Sequence, residues 1–330
     1  MISKSFQRQR GLSLVELMVA MALSLLLMLG VIQIFLSSKQ TYSTNSALSR
    51  VQESGRFAMD FLAQDIRNTG YKGQCIGDPL NHGVSDILWR LENPIEGWND
   101  ITAKPAHLSG TPLSGTDAIL VKFAAGPGGI AADTGNLADN STISLGSNAS
   151  GISKHAITLV SDAISCDLFQ NTADSNATSV AKGAGADWTH NYTGETEVLA
   201  LQNATYYIRA NNGRPNSLVR ERLSTNTTAA TWVTEELVEG VQDMQILYGI
   251  TGSNRQVSDY VTADEVTDWD NVAAVRIDIL AVSADANVVP DNQIIAFGLK
   301  ADGTPESVTI DNRRLAQVFS STIGIRNRLP

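Results

Sequence analysis

The densest set of chemistry-bearing side chains is Thr262–Asn271, where Asp264, Glu265, Asp268 and Asp270 place four carboxylates within seven residues. Calcium prefers such oxygen ligands, which makes this run the one metal candidate in the chain. The sixth-position glycine and twelfth-position glutamate of an EF-hand are missing, however, so a solvated acidic loop is the stronger reading. Ser179 and Lys182 match the S-x-x-K spacing of a serine nucleophile and its lysine, but no S-D-N or K-T-G accompanies them. That match reads as chance. His82, His107, His155 and His190 are scattered without the i,i+4 spacing of metal ligands, and neither a phosphate loop nor a nucleophile elbow occurs. Catalytic residues, a resident metal and a cofactor are therefore not expected.

Composition narrows the field further. The chain has 330 residues, 34 of them acidic and 24 basic, for a formal charge of −10. The acidic balance argues against a nucleic-acid partner, which would need a basic patch or stripe. Hydrophobic residues make up 43 %, enough for a real core and too many for a disordered chain. Two cysteines, Cys75 and Cys166, leave no room for a cysteine zinc cluster or a disulfide-dense scaffold.

The amino terminus carries the strongest pattern. Residues 1–11 hold Lys4, Arg8 and Arg10 and no acid, and residues 12–36 are almost continuously apolar. The 22 uncharged residues between Glu16 and Lys39 would span about 33 Å as a helix, close to the ~30 Å hydrocarbon core of a bilayer. The basic flank predicts a cytoplasmic amino end and export of everything after the span. The apolar run is too long for a cleaved secretory signal, and no small-residue cleavage site follows it. Glu16 is the anomaly, because a carboxylate at membrane depth calls for a partner, a function or a route to the headgroups.

Arg10-Gly11-Leu12-Ser13-Leu14-Val15-Glu16, with a basic leader before it and a long apolar helix after it, resembles the processing site of type IV prepilins and pseudopilins. The resemblance implies cleavage between Gly11 and Leu12 by a prepilin peptidase, N-methylation of Leu12, and a docking role for Glu16 in assembly. Leu12 departs mildly from the Phe or Met more usual there. Residues 53–75, 237–250 and 313–328 further resemble PilW-like minor pilins, whereas residues 78–195 match no motif. The family implies a non-catalytic subunit that joins other minor pilins in the inner membrane, helps initiate the pilus and resides at its tip. A J-like minor pseudopilin of type II secretion has the same architecture. A membrane-tethered periplasmic enzyme, adhesin or binding protein is the alternative of another class.

The elements that would carry these residues follow from periodicity. Leu48, Val51, Gly55, Ala58, Leu62 and Ile66 form one helical stripe that fades at Gly70, a natural carboxy-terminal cap. Arg56 and Asp60 stand four apart on its exposed side, in reach of a weak ion pair. The expected division is a leader at 1–11, a transmembrane half-helix at 12–36, an amphipathic stalk at 37–70 and a periplasmic head at 71–330. In the head, 117–125, 155–161, 198–210, 217–223, 241–250, 272–283 and 315–326 read as strands, with 198–223 as a hairpin. Residues 126–151 and 170–191, rich in Gly, Ala, Asn, Ser and Asp, read as long mobile surface loops. The predicted fold is α+β and pilin-like, a long helix on a mainly antiparallel head. An exported head places Cys75 and Cys166 in an oxidising space, where a bridge is expected over two free buried thiols.

Overall fold

The computed structural model describes residues 13–84, 90–225, 229–252, 256–299 and 305–328. One helix, α1 (Leu14–Asn68), runs for 55 residues, about 82 Å at 1.5 Å per residue. Thr69 is its C-cap, and Gly70 turns the chain away with φ +76°, a conformation that favours glycine. Ala47, Val51, Gly55, Ala58, Leu62, Ala63 and Ile66 are buried along one side. The stripe begins on Ala47; Leu48 remains 37 % exposed at its margin. Arg56 lies over the Phe57 ring at 5.4 Å, and no Arg56–Asp60 ion pair forms among the described residues.

Among the described residues the head contains two large sheets and two two-stranded ones. The larger contains β1 (Leu80–His82), β2 (Ile95–Trp98), β3 (Ala118–Ile130), β5 (Ile157–Ser161), β6 (Cys166–Gln170), β8 (Glu197–Arg209), β9 (Ser217–Thr225) and β10 (Ala230–Glu239). Its order is β1-β6-β5-β8-β3-β2, with β9 also on β8 and β10 on β9. All these pairs are antiparallel except β1 on β6. The smaller sheet runs β12 (Val257–Val261), β11 (Val241–Thr251), β13 (Val272–Val282), β16 (Ala316–Gly324), all antiparallel. A hairpin of β14 (Gln293–Leu299) and β15 (Pro305–Ile310) packs Phe297 and Ile310 onto Leu280 and Val282 of the smaller sheet.

The upper half of α1 joins both sheets in one core. Ala58, Leu62 and Ile66 meet Ile119, Val121, Tyr206 and Ile208 of the larger sheet and Ile246, Val275, Ile277 and Ile279 of the smaller. The alternation of apolar residues along β13, β8 and β11 produces these inward faces. The α+β class and the antiparallel head agree with the sequence reading.

The two predicted loops do not. Residues 126–130 extend β3, and β4 (Thr142–Ser144) pairs with β7 (Ser179–Ala181). The supposed loops bind each other through Leu145 N–H to Thr178 O (2.8 Å), Ser150 N–H to Ala177 O (2.8 Å) and Trp188 N–H to Ala138 O (2.8 Å). Their sparse apolar residues, Ala131, Ile143, Leu145, Val180 and Trp188, converge with Ile152, Phe169 and Val198 on a second core. A few well-spaced anchors suffice because Asn171, fully buried, satisfies the neighbouring backbone, its amide donating to Ile152 O at 3.2 Å and Ala173 O at 3.0 Å. Composition averaged over the segment conceals that arrangement.

Candidate functional site

The membrane end of α1 is built for contact with something other than this chain. From Leu14 to Leu36 its large side chains are all exposed, among them Leu14 at 75 % and Phe35 at 67 %. By length and composition the helix can cross a membrane. Ser13 has extended geometry and caps the helix, its hydroxyl accepting the Glu16 amide at 3.1 Å. Glu16 returns the bond, its carboxylate accepting the Ser13 amide at 3.2 Å. This reciprocal box satisfies two otherwise unpaired N–H groups and sets a negative charge at the positive end of the helix dipole. Glu16 itself is exposed, so its charge faces whatever surrounds the helix. Gly11 and Leu12 lie outside the described residues.

Where the stalk enters the head, three features hold it and a fourth anchors the segment that supplies the third. A Cβ on Gly55 would fall inside the Phe319 ring, so glycine alone permits this close approach of α1 to β16. Asp65 accepts the Tyr206 hydroxyl at 2.5 Å with Arg220 at 3.8 Å, and burial raises its pKa despite both partners. The Asn327 amide donates to Thr69 O at 3.2 Å, capping the helix end from the carboxy terminus. Arg328 donates to the Trp269 and Val272 carbonyls and pairs with Asp270 at 2.9 Å, while burial pulls its pKa down.

Arg328 also reaches the acidic run. Asp270 answers Arg328, Asp268 accepts the Asp270 amide at 2.9 Å and the Asn271 amide at 3.0 Å, and Glu265 accepts the Thr262 N–H at 3.0 Å. Asp264 is exposed. These carboxylates cap two short turns and hold the carboxy terminus, and among the described residues no group of three or more His, Cys, Asp or Glu converges on a metal position. Of the calcium candidate Asp264, Glu265, Asp268 and Asp270, the last three thus carry hydrogen bonds or an ion pair within the chain. Lys182 is buried too, donating to Ala186 O at 2.6 Å with its ammonium 4.9 Å from the Trp188 ring.

Cys75 and Cys166 form a disulfide with Cα atoms 5.4 Å apart, tying the segment after α1 to β6. Beside it lies a network that sequence reasoning missed. Asp167, fully buried, accepts from Thr189 N–H (3.0 Å), Thr189 Oγ1 (2.6 Å) and Tyr192 OH (2.7 Å), with His82 Nε2 at 3.0 Å. Burial and that carboxylate push the Tyr192 phenol far up. Glu221 similarly accepts Ser109 N–H (2.6 Å) and Gly110 N–H (3.1 Å); burial opposes its ionisation, but the amides prevail and its pKa is lowered. Asp117 accepts Asp100 N–H (2.9 Å) and Ile246 N–H (2.7 Å), joining the two sheets, and burial raises its pKa to about 7. No local motif announces any of these carboxylates. The single legible signal is a charged residue inside a strand-like apolar run, as at Asp117 before Ala118–Val121.

Residues 205–327 match the family model described as type IV pilus-assembly protein W, and residues 6–32 match the prokaryotic N-terminal methylation motif. Neither the curated proteins nor the solved structures compared with the chain include a match. The methylation motif takes in the Gly11–Glu16 segment and most of the exposed half of α1, and the pilus-assembly model runs from within β8 through β16 to Asn327. An N-terminal helix long and apolar enough to cross a membrane, a methylation motif on it and a family match over residues 205–327 make this chain similar to PilW-like pilins of the type IV pilus.

Proposed function

We propose that the chain is a non-catalytic minor pilin that joins other minor pilins in the inner membrane, initiates pilus assembly and stays at the pilus tip. The carrying observation is a helix that buries its upper half in the head while exposing every large side chain from Leu14 to Leu36. Such a surface is satisfied first by lipid and then by the helices of neighbouring subunits. In this reading residues 1–11 are a cytoplasmic leader, 12–36 span the membrane, 37–70 form the stalk and 71–330 the periplasmic head. A prepilin peptidase cuts after Gly11, and Leu12 becomes the methylated amino terminus. Glu16 then supplies the charge that selects the axial register of docking, because a charge left unpaired at low dielectric is costly.

Processing and docking are tested together. Amino-terminal mass analysis should find Leu12 first, with Lys4, Arg8 and Arg10 lost and the formal charge of −10 more negative by three. Intact Met1 or cleavage near Leu36 refutes the reading. Glu16→Val should retain insertion and cleavage yet lose co-purification with the other minor pilins; wild-type capture would show that Glu16 merely reaches the headgroups.

A further inference from the structure

β16 is the outer strand of the smaller sheet, paired on one side with β13. Its register sets Phe319 opposite Ile279, Ser321 opposite Ile277 and Ile323 opposite Val275. The adjoining bond from Ile325 N–H to Ala273 O (2.8 Å) fixes the phase of the ladder. Antiparallel pairs alternate between bonded and non-bonded, so residues 319, 321 and 323 bond to β13. Val318, Ser320 and Thr322 therefore turn their N–H and C=O groups outward, and among the described residues these meet no partner.

Open edges are normally guarded by charge, proline or brevity. The other edges of the two large sheets are guarded, and the uncharged β14 of the hairpin is interrupted by a bulge between Ala296 and Leu299. β10 carries Glu235, Glu236 and Glu239, β12 has five residues including Asp259, and β1 and β2 have three and four residues. β16 has nine residues, and Ala316–Ile325 contains no charge and no proline. Ser320 and Thr322 are exposed. The edge also adjoins the stalk, since Phe319 lies on Gly55, so a strand added there continues the helical assembly surface.

Direction decides the occupant. β13 starts near the upper end of α1, where Arg328 and Asn327 join it to the helix cap, and ends at Val282, whose carbonyl flanks Gly240 beside Ser54. β16, antiparallel to β13, thus runs away from the membrane as α1 does. Two copies in one membrane would present β16 edges pointing the same way. A two-fold axis along the strands would then set each N–H against its own copy, donor facing donor, and no ladder forms. We propose that β16 is a docking edge that accepts an uncharged extended strand from the head of a different minor pilin anchored in the same membrane. The inference rests on the assembly reading above and names the surface that carries out part of it.

A photo-crosslinking residue at Ser320 of the full-length chain, in membranes containing the other minor pilins, tests it. The expected adduct joins residue 320 to an extended, uncharged segment of another minor pilin. Ser320→Lys with Thr322→Lys should cut co-purified partner by about tenfold or more, because gatekeeper charges block edge pairing, whereas Thr231→Lys on β10 should not. An adduct to a second copy of this chain, no adduct, or wild-type capture by the double lysine variant each overturns the proposal. If the double variant loses its Cys75–Cys166 bond, the crosslink in the otherwise native chain decides. A wild-type chain that captures no pilin at all refutes the assembly reading itself, an outcome distinct from capture that ignores β16.

Discussion

Asp117 makes the stability of the head depend on pH in a direction opposite to most carboxylates. Burial raises its pKa from 3.8 to about 7, against two amide donors that lower it. Between those values the folded state holds a proton that the unfolded chain releases, so stability falls as pH rises. From pH 4.5 to pH 7.5 that single group removes on the order of 3 kcal/mol. Asp65 and Glu96, also raised by burial, act in the same sense, while Glu221 and Glu235, both lowered, lose their contribution as pH falls. The Asp117→Asn variant isolates the one term. Asn retains a single acceptor for two N–H donors, so the variant should be weaker by about 1–3 kcal/mol at acid pH. Its own slope with pH should be smaller than that of wild type by about 3 kcal/mol over the interval. Urea unfolding of the full-length chain in detergent, followed by tryptophan fluorescence at both pH values, measures the difference. Equal slopes in the two proteins would refute the buried-carboxyl argument.

Replacing Cys75 and Cys166 by Ser opens a loop with sequence separation 91. The expected loss is at most about 4–5 kcal/mol in the chain-entropy account, read as a lower urea midpoint, and an unchanged midpoint would count against it. Gly55→Val should destabilise by about 1–3 kcal/mol because its Cβ enters the Phe319 ring, and Phe319→Ala added to it should recover part of the melting temperature. Arg328→Met strands the Trp269 and Val272 carbonyls, so a loss of about 1–3 kcal/mol and faster amide exchange near Val272 are expected.

The calcium candidate shows why the site was only partly legible. Four carboxylates in seven residues read as a ligand set or as a solvated loop, and the pairing of Asp270 with Arg328, from far along the chain, lies outside any local window. Glu16 is the reverse case. Its partners in the box, the Ser13 hydroxyl and amide, are three residues away, so its local environment follows from adjacent residues.

The same division runs through the fold. The apolar span, the stripe from Val51 to Ile66, the stop at Gly70 and the strands β8, β9, β11 and β13 were evident from sequence, since each depends on spacing within one segment. Single linear features also sufficed for the processing motif, and two cysteines admit one internal pairing. The parallel β1–β6 pair, the β4–β7 ladder that turns two polar segments into a second core, the Asp117 link and the open edge of β16 required the tertiary structure. Each joins residues far apart in the chain, and its free energy comes from burial and hydrogen bonding that no local window contains. Periodicity tells which face of an element is apolar; only the packed molecule decides what covers that face and which edge it leaves open.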